Sequence, residues 1–168
     1  LVGSEMCIRD RAGLGMKGSG NIIMGTVAGS NAGKNADGTD GTVLSNSIIM
    51  GTQAGNNAGG DKNIILGNYM NNAVMANNVV AVGSNSRVTK QFGLGLGHGI
   101  INDAQYGLAV GSYNKLSETA KKSGVFGIGN YGKTTLSGAE SYVIGNNNEV
   151  STNNTFVLGN NVSTTAAN

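Results

Sequence analysis

Asn21-Ile22-Ile23-Met24-Gly25 decides how this chain folds, because the same phrase keeps returning: a small polar residue, three mostly apolar residues, then glycine. It reads Ser47-Ile48-Ile49-Met50-Gly51 and Asn63-Ile64-Ile65-Leu66-Gly67, and recurs in Val80-Ala81-Val82-Gly83, Leu94-Gly95-Leu96-Gly97 and Leu108-Ala109-Val110-Gly111. Phe126-Gly127-Ile128-Gly129, Tyr142-Val143-Ile144-Gly145 and Phe156-Val157-Leu158-Gly159 complete the series. Nine copies make a repeat protein. The glycines follow one another at 26, 16, 16, 14, 14, 18, 16 and 14 residues. The unit is therefore a coil of 14 to 16 residues, two short strands and two turns, with one long insertion after Gly25.

Composition agrees with a thin core drawn out along an axis. The 168 residues include 29 Gly and 24 Asn but no Pro and no Trp, and only 12% are charged. A compact globule of this length carries more aromatic mass. Disorder competes as a reading of so much Gly and Asn, yet disordered segments lack regularly spaced aliphatic triplets. The net charge of +2 is scattered, without the basic stripe of a nucleic-acid binder. No apolar run approaches the length that spans a bilayer.

Cys7 is the only cysteine, so no intrachain disulfide forms. It lies in residues 1–11, which match nothing downstream, lack the marks of a signal peptide and resemble a translated adapter tag. The expected organisation is a non-native segment over 1–11 and head-type repeats over 12–168, as a fragment of a longer protein.

Side chains alternate faces along a strand. The residues one and three before each glycine share one face: Ile22/Met24, Ile48/Met50, Ile64/Leu66, Val80/Val82, Leu94/Leu96, Leu108/Val110, Phe126/Ile128, Tyr142/Ile144 and Phe156/Leu158. All of these except Leu94 and Leu96 are assigned to the interior of the roll. The middle residues, Ile23, Ile49, Ile65, Ala81, Gly95, Ala109, Gly127, Val143 and Val157, contain nothing polar either, so the strand is expected to be buried on both sides. A single-chain solenoid has one interior, and the simplest cover for a second apolar face is the same face of identical chains. Ile23, Ile49, Ile65, Ala81, Ala109, Val143 and Val157 are accordingly assigned to the interface of an obligate homotrimer, with small residues there letting three backbones approach. Between the phrases, the residue five places after the glycine (Val88, Leu116, Val150) is apolar among polar neighbours, as in a strand with one wet face.

The repeat resembles the head repeat of the YadA-like trimeric autotransporter adhesins, most closely in Asn78-Val79-Val80-Ala81-Val82-Gly83, Gly107-Leu108-Ala109-Val110-Gly111 and residues 154–165. The resemblance covers residues 21–165. It implies an all-β, left-handed parallel β-roll, a homotrimer on the outer membrane facing outward, and cell adhesion in virulence, through attachment to a host surface or an extracellular-matrix protein or glycan. Membrane attachment would come only through an anchor domain outside this fragment. Gly51-Thr52-Gln53-Ala54-Gly55 also resembles phrases of phage tail fibres and other surface fibres, which is the alternative.

Catalytic chemistry is not expected, and neither is a cofactor, a metal or a nucleic-acid partner. Gly127–Thr134 satisfies the phosphate-loop pattern, but no helix can fit before the next phrase at Ser141. His98 is the only histidine and reads as a turn residue rather than a metal ligand. Asp37, Asp40 and Asp61 lack calcium-loop spacing. A left-handed β-helix acyltransferase is built in six-residue steps, which 14 and 16 do not fit. Arg87, Lys90, Lys115 and Lys121-Lys122 are candidates for target contact, with solubility as their plainer role.

Overall fold

The computed structural model describes residues 6–8, 10–35, 37–71, 74–129 and 134–165. Those residues form a parallel β-solenoid, all-β, with strands numbered β1 to β19 along the chain and no helix among them. One ten-stranded sheet runs along it: β1 (Met6–Ile8), β3 (Ile22–Met24), β5 (Ile48–Met50), β7 (Ile64–Asn68), β8 (Val80–Ser84), β10 (Leu94–His98), β12 (Leu108–Ser112), β14 (Gly124–Ile128), β16 (Tyr142–Ile144) and β18 (Phe156–Leu158). Every pair is parallel, and the repeated phrases stack in register, Ile49 on Ile65, Ile65 on Ala81 and Val143 on Val157. Residues 6–8 add a strand in register with Ile22–Met24, although nothing in their sequence announces the repeat.

The second wall changes place partway along. In the first coils it is a three-stranded sheet of β2 (Gly18–Ser19), β4 (Leu44–Ser45) and β6 (Gly60–Asp61), which precede their long-sheet strands. From residue 87 onward it is a six-stranded sheet whose strands follow theirs: β9 (Arg87–Val88), β11 (Ile101–Asn102), β13 (Asn114–Leu116), β15 (Thr134–Leu136), β17 (Glu149–Val150) and β19 (Ser163–Thr164). Val88, Leu116 and Val150 point inward and are buried, as the wet-faced strand pattern predicts.

Glycine closes each repeated phrase because backbone meets backbone there. A Cβ on Gly97 would lie 1.7 Å from the Gly111 carbonyl oxygen, and φ at Gly97 is +139°, so both space and conformation exclude a side chain. The same contact runs unbroken from Gly25 through Gly145. It also corrects the phasing of one coil. Gly124-Val125-Phe126 stacks on Leu108-Ala109-Val110 and Gly127 stacks on Gly111, so the phrase ends at Gly127 and not at Gly129.

The two faces of the long sheet are the reverse of the sequence assignment. Ile23, Ile49, Ala81, Ala109 and Val143 are fully buried within the chain, Ile65 is 1% and Val157 5% exposed, and Val125 rather than Gly127 completes the column. These residues are the core and not an interface. The residues assigned to the core point outward. Ile22, Met50, Ile64, Phe126, Ile128, Tyr142, Ile144, Phe156 and Leu158 are exposed, while Met24, Ile48, Leu66, Val80, Val82, Leu108 and Val110 are half-buried. The reason lies in the rest of the interior. Facing residues such as Ala28, Ala54, Val88, Ile100 and Leu116 already fill a narrow space, which admits one side chain per strand.

The small polar residue that opens each phrase also points inward and carries a hydrogen-bond ladder. Asn21 Nδ2 donates to the Leu44 carbonyl at 2.9 Å, and its Oδ1 accepts from the Ser47 amide at 3.0 Å. Ser47 Oγ accepts from the Asn63 amide, and Asn63 Oδ1 from the Val79 amide, both at 3.0 Å. The ladder lapses at Val79, Gly93 and Gly107 and resumes with Ser123 and Ser141. Backbone groups that a bare turn would bury unpaired are thereby satisfied.

Candidate functional site: the open face of the long sheet

The outward residues of the long sheet form two parallel columns. One runs Ile22, Ile48, Ile64, Val80, Leu94, Leu108, Gly124, Tyr142 and Phe156; the other runs Met24, Met50, Leu66, Val82, Leu96, Val110, Phe126, Ile144 and Leu158. No charged or amide side chain interrupts either column, and its one polar atom is the Tyr142 hydroxyl. At about 4.8 Å between strands the stripe is roughly 40 Å long. A contiguous exposed apolar stripe of this kind marks an interaction surface.

Exposure is least in the middle of the stripe, rises to 41% at Ile22 on one side and is greatest at Phe156 and Leu158 on the other. Val80 through Val110 are half-buried by their neighbours, whereas Tyr142 is 47%, Phe156 66% and Leu158 73% exposed. Aromatic side chains take over from Phe126 onward, and the Tyr142 ring lies over Gly124, where an added Cβ would stand 3.0 Å from it. All seven described aromatic side chains outside histidine are exposed: Tyr69, Phe92, Tyr106, Tyr113, Phe126, Tyr142 and Phe156. None serves the core.

The remaining candidates occupy separate places. His98 ends β10, with Nδ1 2.7 Å from Ser84 Oγ, Nε2 3.1 Å from the Tyr113 hydroxyl and its ring edge-on to Tyr113. Asp37 accepts from the Thr39 hydroxyl and amide, and those bonds hold its carboxyl below the usual range. Asp40 is lowered by its hydrogen bond and charge pairing with Lys17, and Asp61 chiefly by a hydrogen bond from Asn46. These carboxylates do not converge, and no group of three metal-binding side chains occurs among the described residues. No helix among them is long and apolar enough to cross a membrane.

Of the charged candidates, Arg87 pairs with Asp103 at 3.4 Å, Lys90 with Glu118 at 2.8 Å and Lys122 with Glu140 at 3.2 Å, and Lys115 is exposed. The phosphate-loop pattern falls partly outside the described residues, at 130–133. Gly127 belongs to the corner ladder, and residues 134–136 form a strand. No family model, curated protein or solved structure matches this chain.

Proposed function

We propose that this chain is a non-enzymatic segment of a homotrimeric surface fibre, in which the open face of the long sheet packs against the same face of two further copies. The observation that carries it is the pair of outward columns from Ile22 to Leu158, apolar at every position that has a side chain. Such a stripe on a repeating rod is matched along its whole length by a second copy of itself, because identical coils present identical spacing. The number three, the left-handed winding and the bacterial cell-surface setting come from the resemblance of the repeat to YadA-like adhesin heads. The small residues Ala81, Gly95 and Ala109 lie inside the coil and have no part in bringing chains together. In this function the corners and second wall face outward and contact a host-surface or matrix target. Three copies of each weak contact then raise avidity.

Sedimentation equilibrium of the whole chain, alone and fused to a trimeric coiled coil, tests this. The expected result is a β-rich trimer that Ile144→Ser with Leu158→Ser shifts toward monomer while the circular dichroism spectrum is kept. A stably folded monomer in both forms at micromolar concentration would overturn it.

A further inference from the structure

Two residues before each long-sheet strand from β5 onward the chain turns through a left-handed residue: Asn46, Lys62, Asn78, Phe92, Tyr106, Lys122, Glu140 and Asn154, with φ between +49° and +59°. Asparagine tolerates this conformation, and a bulky aromatic residue there is an outlier. Phe92 and Tyr106 nevertheless hold it in successive coils. Their rings stack with centroids 4.9 Å apart and planes at 6°, while the side chains stay 47% and 51% exposed. The core gains nothing from them. Tyr69 and Tyr113 hold the same left-handed conformation elsewhere, so what sets this corner apart is the stacked, exposed pair.

A cleft of about 270 Å³ opens at the residues that precede the pair in the chain, lined by Lys90, Gln91, Gln105, Glu118 and Lys121 and not by the rings themselves. Gln91 and Gln105 immediately precede the two aromatic residues, so one corner geometry places both the rings and the amides. Neither amide side chain has a hydrogen-bond partner among the described residues, which leaves two acceptors and two NH2 groups for a ligand. Lys90 and Glu118 face each other at 2.8 Å and add a donor and an acceptor.

We infer that this corner is a carbohydrate-binding site, in which a sugar ring packs its C–H surface against the Phe92–Tyr106 pair and its hydroxyls bond to Gln91, Gln105 and the Lys90–Glu118 pair. A lining made wholly of polar and charged side chains suits a hydroxyl-rich ligand, whereas an apolar peptide would need an apolar pocket. The site names a ligand class for the adhesive part of the proposed function and rests on that part. It lies within one chain, so it does not depend on trimer formation.

The test is titration of the whole isotope-labelled chain with maltotetraose, cellotetraose, chitotetraose and a hyaluronan tetrasaccharide, followed by amide NMR, with sedimentation of the same samples. At least one sugar is expected to shift the side-chain amides of Gln91 and Gln105 and the backbone of residues 90–92 and 105–106. Phe92→Asn with Tyr106→Asn, and separately Gln91→Ala with Gln105→Ala, are expected to weaken binding by about tenfold or more. The asparagine pair should keep or raise Tm, since asparagine already serves this corner at 46, 78 and 154. No shift with any of the four sugars, or unchanged binding in both variants, overturns the site. So does a lower Tm in the asparagine pair with binding unaltered by the alanine pair, which would assign the rings to the fold. Sugar binding by a monomer would uphold the site and refute the trimer.

Discussion

The first coils and the middle coils fill the same interior from opposite sides. Around residues 22–66 the long sheet contributes Ile23, Ile49 and Ile65, and the turns facing them are small, Ala28, Gly29, Ala32, Ala54, Gly55 and Ala58, with Leu44 of β4 the one large side chain of the second wall. A Cβ on Gly55 would stand 2.7 Å from Ile49 Cδ1. Around residues 80–116 the long sheet contributes Ala81, Gly95 and Ala109, and the opposite side is large: Val88, Ile100 and Leu116. A Cβ on Gly95 would stand 2.8 Å from Val88 Cγ2. In these two regions a large side chain on one side faces a small one on the other, as close packing requires. The wall that supplies the large one is free to change, and the second wall moves from before to after the long strand in the same part of the chain.

That exchange can be broken where the long sheet supplies the bulk. Ile49→Ala should leave a cavity that the small residues opposite cannot close, costing about 2–5 kcal/mol. Its outward neighbour Ile48→Ala should cost clearly less in the single chain. Chemical denaturation of both variants checks this, and equal losses would mean that the faces are wrongly assigned. In the middle coils the same wall should be sensitive to addition. Gly95→Ala should destabilise by about 1–3 kcal/mol through overcrowding. Adding Val88→Ala should recover part of that loss, and strict additivity in the double variant would deny volume exchange between the walls.

The smallest effect concerns the second wall's exposed charges. Hydrogen bonding and charge from Lys90 lower the carboxyl of Glu118 from its ordinary 4.5, and Glu118 in turn raises Lys90 from 10.5. A lowered acid stabilises the fold above its ordinary value and loses that contribution as pH falls through the folded one. A raised base stabilises below its ordinary value and loses that contribution as pH rises. The Tm difference between wild type and Glu118→Gln should therefore be small and flat between those limits and shrink beyond either. Both side chains are well exposed, and solvent screens the pair. A difference that widens on acidification would show that the pair is not what Glu118 contributes.

Much of the coil was legible because its signals are local. The phrase-ending glycines marked all but one corner, and the lone apolar residues Val88, Leu116 and Val150 were correctly turned inward. The sense of the long strand was not legible. Period-two alternation separates two faces, but when both are apolar it does not say which is inside, and that depends on volume supplied 5 to 9 residues away, by Ala28, Ala32 or Val88. The run of Ile, Ala and Gly down the middle column looked like room for neighbouring chains and is compensation for large residues opposite. Phe126-Gly127-Ile128-Gly129 was misphased because it offers two glycines where one is needed, and only the contact of Gly127 with Gly111 chooses between them. The aromatic corner at Phe92 and Tyr106 carried a signal that was missed: large rings two residues before a strand, where other coils have asparagine, lysine or glutamate.

The glycine corner has a consequence for how such a molecule varies between lineages. Coil meets coil at Gly83, Gly97 and Gly111 through bare backbone, so this corner asks no side-chain fit of an exchanged neighbour. Unequal recombination between repeats can then add or delete whole coils and still deliver a foldable product. The reach of the rod becomes a heritable length, adjustable in increments of about 4.8 Å, independently of whatever its corners are selected to hold.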